Sequence, residues 1–273
     1  MSATRLAVTA AGVLATAHAS PAVTSIGPLR RQLFPGLAGV GEPGHVALTF
    51  DDGPDPRSTP AFLTVLREHG VKATYFLLGR MLKAAPDLGR SLAESGHEIA
   101  VHGWEHRCML LRGPAATYDD LARAMESIVN VTGTVPRWYR PPYGVLSLSA
   151  LRAARRLSLT PVLWTNWGRD WTRAATPASI LATLTRDLDG GGTVLLHDSD
   201  CTSAPDSWRK TLDALPPLLE WIRDRGLSIG PLRDHGLDAP RQGPRPTAPP
   251  GAGPEMGFHA DRKTWNNNSS SRH

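Results

Sequence analysis

The stretch HVALTFDDGP, residues 45–54, runs from a block of β-forming residues into two adjacent carboxylates, Asp51 and Asp52, and is then broken by Gly53 and Pro54. Val, Leu, Thr and Phe at this density read as a buried strand, and the Gly-Pro pair ends it. Neighbouring aspartates repel, and on a regular strand they point to opposite faces, so folding alone gives them little reason to sit together. In parallel α/β folds ligands bind at the carboxyl ends of strands, which makes this pair a candidate for chemistry.

Working outward, further β-rich runs occur at 72–78, 98–102, 137–140, 161–165, 193–197 and 227–232, with amphipathic helical patterns between them. Two of those patterns open on an N-cap followed by proline, Thr59-Pro60 and Thr176-Pro177, and others close on Gly70, Gly96, Gly133 and Gly226. Seven strands alternating with helices predict parallel β/α units, either a doubly wound sheet or a closed β/α barrel. Periodicity does not choose between the two.

The chain has 273 residues, 41% of them hydrophobic, and a formal charge of +5, enough for one large α/β domain. Its basic residues are scattered, with Arg30-Arg31 and Arg155-Arg156 as short pairs, so the footprint of a nucleic-acid binder is missing. Residues 1–43 read as a signal peptide or a lead-in segment. They hold an early Arg5, a modest apolar run and a small-residue Ala17-His18-Ala19 site, and Leu33, Phe34 and Leu37 look like apolar anchors. Export to the cell envelope or beyond is the expectation, with a cytoplasmic protein as the rival. No later run is long enough to span a membrane. The domain is expected over 44–236, and the Pro/Gly-rich 237–273 is expected to be disordered. Histidines His45 and His97 read as structural or exposed, and His18, His235, His259 and His273 as lying in flexible segments.

Four more constellations end candidate strands. His102-Gly103-Trp104-Glu105-His106 follows the third; histidines four apart share a face of a helical turn and can meet on one metal ion. Arg140-Pro141-Pro142-Tyr143 follows the fourth, a stiff loop with a guanidinium at its root that can orient a carboxylate. Asp170-Trp171 follows the fifth. His197 terminates the apolar sixth, as a satisfied core residue or a desolvated acid/base group.

Taken together, TFDDGP (49–54), HGWEH (102–106), RPPY (140–143), DW (170–171) and LLH (195–197) give the chain a resemblance over about residues 44–235 to the polysaccharide deacetylases with the NodB homology domain, carbohydrate esterase family 4. The resemblance implies a single distorted (β/α) barrel with its site at the carboxyl ends of the strands. It implies that Asp52, His102 and His106 bind one divalent metal, most often zinc, and that Asp51 stays free as general base. One aspartate is then neutralised by the ion, and its neighbour can accept a proton without facing a bare like charge. It further implies hydrolysis of an acetamido group on an N-acetylglucosamine polymer or oligomer. The main-chain N–H of Tyr143 would help hold the oxyanion, and His197 would protonate the departing amine. Arg140 would orient Asp51, Asp170 would support Arg140 or His197, and Trp171 and Leu195 would wall a methyl-sized pocket. A hydrolase of another acyl amide and a silent carbohydrate-binding protein are the rival readings.

Two positions depart from the family pattern. Gly103 stands where a hydroxyl residue usually braces the histidine loop, and Trp167 stands where an aspartate is usual. Neither removes a metal ligand or a proton carrier, so activity is expected to survive. Cys108 and Cys201 each follow a site motif by a few residues, and the sequence leaves open a disulfide between them in an exported protein and two reduced thiols in a cytosolic one.

Overall fold

The computed structural model describes residues 3–237; of the tail expected to be disordered, Leu237 is buried and its carbonyl accepts from Arg137 Nη2 at 2.8 Å, and 238–273 lie outside the described residues. Helices α1 (Ala3–Ala19), α2 (Gly27–Leu33) and α3 (Pro35–Ala38) precede β1 (His45–Asp51). Strands and helices then alternate through α4 (Thr59–Glu68), β2 (Thr74–Leu78), α5 (Gly79–Ala84), α6 (Pro86–Glu94), β3 (Glu98–Gly103), α7 (Pro114–Thr132) and β4 (Trp138–Tyr139). The chain continues through α8 (Leu148–Arg156), β5 (Thr160–Pro161), β6 (Asn166–Trp167), α9 (Pro177–Thr185), β7 (Thr193–His197), α10 (Ser207–Arg223) and β8 (Ser228–Gly230).

All these strands pair in parallel, in the order β5-β4-β3-β2-β1-β7-β6, with β8 beside the first half of β1. Laid flat at ~4.8 Å per strand, the seven-strand path would put its edges about 29 Å apart. Yet the edge strands β5 and β6 are joined by residues 162–165 alone, which reach about 17 Å when fully extended. The sheet must therefore curl, and the barrel, not the open doubly wound sheet, is the fold.

The expected strand at 161–165 is thus divided. Thr160–Pro161 pairs with β4 and Asn166–Trp167 pairs with β7. The intervening residues turn to the lead-in segment: Leu163 N–H donates to Leu37 O at 2.7 Å, and Arg30 Nη2 donates to the Trp164 carbonyl at 2.7 Å. Residues 24–42 are bound into the barrel through such contacts, but not by the expected apolar anchors. Leu33 and Phe34 are exposed, while Arg30 and Ala38 are buried and Leu37 packs on the core. The Arg30 guanidinium is held by carbonyls where a leucine would meet none.

β1 is buried along its whole length because strands flank it and helices and loops cover both faces. Outside it, Phe50 stacks on Tyr75 at 5.1 Å and meets Phe62 of α4 edge-on at 5.3 Å. Such a buried side chain is worth about 1.5–3 kcal/mol. Thr176 caps α9 through a capping box, as expected. Thr59 does not cap α4: Ser58 holds that position, and the Thr59 hydroxyl donates to the Asp198 carboxylate instead. His235 is not in a flexible segment. It is fully buried, its Nδ1 2.8 Å from Nδ1 of His45, and its Nε2 hydrogen-bonds the Gly39 and Gly191 carbonyls. Burial lowers its pKa to about 4, so the ring is a neutral tie between the lead-in segment, β1 and the β7 approach.

Candidate active site

The five motif stretches converge at the carboxyl ends of the strands around one cavity of about 220 Å³, lined by Asp51, His102, His106, Tyr143, Trp171, Leu195 and His197 among others. The opening question about two adjacent aspartates has a backbone answer. Asp51 completes β1, whereas Asp52 has φ 80°, a left-handed conformation that aspartate tolerates better than most residues. This breaks the alternation of the strand and turns both carboxylates to the same side. Asp51 Oδ2 lies 3.8 Å and Asp52 Oδ1 3.4 Å from the same atom, His102 Nε2. Gly53 follows because a Cβ there would run into the Asp198 carboxylate.

His102 and His106 do not share a helical turn. His102 lies in β3 and His106 in the loop beyond Gly103, whose φ of 111° folds the chain back so that the two rings come within 5.2 Å. Nδ1 of His102 donates to the Arg140 carbonyl at 2.8 Å, which leaves Nε2 as the lone-pair nitrogen aimed at Asp52. Burial lowers the His102 pKa to about 3 and lowers that of His106, against the pull of Asp52 in both. Both imidazoles are therefore neutral, the form that ligates metals.

These residues fit a divalent cation. Ligand atoms of Asp52, His102 and His106 lie within 4.8 Å of one another, and Asp52 Oδ1 is buried without a hydrogen-bond partner. It is 3.4 Å from His102 Nε2 and 3.7 Å from His106 Nε2. Ligands at ~2.05 Å in tetrahedral array around zinc stand about 3.4 Å apart. Three donors also leave a coordination position open, as a catalytic site needs.

Asp51 is held differently from its neighbour. Arg140, fully buried, donates through Nη1 to Asp51 Oδ1 at 2.7 Å and to Thr49 Oγ1 at 2.8 Å, and through Nη2 to the Leu163 carbonyl at 2.9 Å. Burial raises the Asp51 pKa and the Arg140 and His197 charges oppose that rise. Across the cavity, Asp170 pairs with His197 and not with Arg140. Its Oδ1 is 3.0 Å from His197 Nδ1, and its Oδ2 accepts the His197 N–H at 2.8 Å and the Thr211 hydroxyl at 3.0 Å. Burial alone would lower the His197 pKa, but the Asp170 carboxylate outweighs it and pushes the imidazole up to about 10. A carboxylate and an imidazolium thus face the same cavity.

Tyr143 has φ 60° in a tight turn, and among the described residues no main-chain carbonyl accepts its N–H. Its ring meets His106 edge-on at 4.5 Å. Leu195 is nearly buried and Trp171 packs edge-on to His197 at 5.7 Å, both on the cavity wall. Of the two alternatives for the cysteines the structure has the reduced one: Cys108 and Cys201 are free, and the Cys201 thiol donates to the Asp52 carbonyl at 3.7 Å. Burial, reinforced by the Asp52 charge, pushes that thiol up to about 12.

Several contributing residues carry no signal in the sequence. Thr202 donates to Asp52 Oδ2 at 2.5 Å and so fixes the second oxygen of that carboxylate from the loop after β7. Asp120 of α7 accepts the Trp104 N–H at 2.8 Å, and a Cβ on Gly103 would stand 2.9 Å from the same oxygen. The brace expected from a hydroxyl at 103 is supplied from another helix, in the room the glycine leaves.

The sequence profile of the polysaccharide deacetylase family (Polysacc_deac_1) matches residues 38–162. The chain is 35% identical over 195 residues to a chitooligosaccharide deacetylase of Bradyrhizobium sp. (strain ANU 289), an alignment spanning 68% of this chain and 88% of that protein. The chain belongs to the polysaccharide deacetylase family. A peptidoglycan-N-acetylglucosamine deacetylase of Listeria monocytogenes is 32% identical over 160 residues, 59% of this chain and 34% of that longer protein. Among solved structures, a CE4-family pseudoenzyme from Bacillus anthracis superposes with a TM-score of 0.65 at 25% identity, over 72% of this chain and 66% of that one. The chain is thus similar both to proteins named as deacetylases and, in its fold, to a pseudoenzyme.

Proposed function

We propose that this protein hydrolyses the N-acetyl groups of N-acetylglucosamine-containing glycans with the help of one divalent cation, zinc fitting best. The observation that carries this reading is the pairing of a carboxylate clamped by Arg140 with an imidazolium sustained by Asp170 on opposite sides of one cavity. A catalytically silent binder has no use for a base and an acid so placed, which counts against the pseudoenzyme reading.

When held by Asp52, His102 and His106, a divalent cation supplies a Lewis acid for the acyl oxygen. The chain's own groups do the rest. Asp51 takes a proton from the attacking water as the new C–O bond forms. The unpaired Tyr143 N–H offers a donor to the developing oxyanion, a contribution of about 3 kcal/mol where such donors have been removed in other enzymes. His197 delivers its proton to the amide nitrogen as the C–N bond breaks, since an amine does not leave as an anion. Leu195 and Trp171 leave space for a methyl group, which favours acetyl over bulkier acyl units. Secretion or an envelope location, where such glycans lie, goes with this reading.

Purified protein incubated with N-acetylglucosamine tetramers is expected to release acetate, to stop after chelation and to resume with added zinc. Absence of acetate at every metal loading, with the glycan still bound, would leave the silent binder as the better reading.

A further inference from the structure

Trp167 stands between two cavities. One is the catalytic cavity; the other, also about 220 Å³, is lined by Arg31, Arg169, Arg186, Thr183 and Asp187. The indole is more than a third exposed and belongs to a run of rings, 5.8 Å from Trp164 at 29° and 4.9 Å from Trp171 at 44°. The ring presents a flat apolar face at this position.

The second cavity is cationic. Three guanidinium groups face one carboxylate, and among the described residues none of the three arginines is in an ion pair. Arg31 is anchored through Nη2 to the Thr165 carbonyl and Asn166 Oδ1, and Arg169 lies 5.4 Å over the Trp167 ring. Like charges gathered without partners repel one another, and an anion relieves that repulsion. Guanidinium forks match the planar oxygens of a carboxylate. A neutral glycan would cross this surface and leave the three cations as they are.

We propose that the second cavity is a subsite for a carboxylate carried by the sugar next to the reacting one, with Trp167 as the platform on which the chain passes between them. The proposal rests on the deacetylase reading for its glycan and extends it to an acidic one. A saccharide whose acetamido group lies in the catalytic cavity would extend over the indole, and an acidic substituent on the neighbouring ring would reach the arginines.

Two tetrasaccharides of equal length test it, one of N-acetylglucosamine alone and one in which alternate sugars carry a carboxylate. The zinc-loaded full-length protein is expected to show kcat/KM about tenfold or more in favour of the carboxylated chain at low salt, a preference that shrinks as salt is raised. Arg169→Gln/Arg186→Gln should bring the ratio of the two kcat/KM values to within about twofold, and Arg186→Gln alone to an intermediate ratio. Equal rates on both chains by the unaltered protein, or an undiminished preference in the double variant, overturns the subsite. Calorimetric titration with a carboxylated tetrasaccharide lacking acetyl groups separates this from the deacetylase reading. Its binding should weaken about tenfold in the double variant even if no acetate is ever released, and unchanged binding counts against the subsite alone.

Discussion

Asp51→Asn is expected to lower kcat for acetate release by about a thousandfold, with zinc content unchanged. Asparagine keeps the shape of the side chain and an oxygen that can still accept from Arg140 Nη1, now 2.7 Å from Asp51 Oδ1. What it loses is basicity. Asp51 is buried, and the Arg140 guanidinium hydrogen-bonded to it sustains a charge that the neutral asparagine does not carry. The cation's own donors are Asp52, His102 and His106, so metal should stay. Kinetics paired with metal analysis reads both halves of the expectation. Near-normal turnover removes Asp51 as the base, and loss of zinc makes it a ligand instead.

The second large effect concerns the alkaline side of the pH profile. A general acid works only while protonated, so turnover falls as pH rises through its pKa in the folded protein. His197 is held at about 10 by Asp170 against the opposing effect of burial. With Asp170→Asn burial still opposes the charge and only the more weakly acting Asp51 and Asp52 carboxylates remain to favour it, which carries the pKa down toward the ordinary histidine value of 6.5. The alkaline limb of kcat should therefore move to lower pH by about three units, and at pH 8.5 turnover should drop by about a hundredfold or more. On the acid side, burial of Asp51 sets its limb above the ordinary carboxylate range in both proteins. A pH series of kcat for the two proteins measures this. An unmoved alkaline limb would mean that His197 is not the proton donor or that Asp170 does not sustain its charge.

What the sequence revealed and concealed divides along the range of the interactions. HVALTFDDGP was readable because burial on both faces of a parallel strand demands a continuous apolar run, and because the turn that ends it is written in Gly53 and Pro54. The N-cap at Thr176 and the left-handed closure at Gly133 were readable for the same reason: each is a local choice made by one or two residues. Barrel closure was not. It shows in the division of the expected 161–165 strand between β4 and β7, where Arg30 reaches the Trp164 carbonyl across 134 residues, and a buried arginine satisfied by carbonyls looks in sequence like any surface charge.

The site shows the same division. Residues whose chemistry is unusual at a strand end, such as Asp51, His102 and His197, stood out singly, and the fold brings them to one cavity. Their partners did not stand out. Thr202 on Asp52, Thr211 on Asp170 and Asp120 behind Trp104 are ordinary residues in a loop or on helices, and only the tertiary fold gives them a task. The helical reading of His102 and His106 failed because a four-residue spacing fits a helix turn and a strand-to-loop reversal equally well. Gly103, with its φ of 111°, decides for the reversal.

Zinc content per chain, measured after exhaustive dialysis for the unaltered protein and for His102→Ala and Asp52→Ala, reaches the central claim most directly. The account predicts one ion per chain in the first and less than a tenth of that in each variant, with all three folded. An unaltered protein that takes up no divalent ion, or variants that retain a full equivalent, would contradict it.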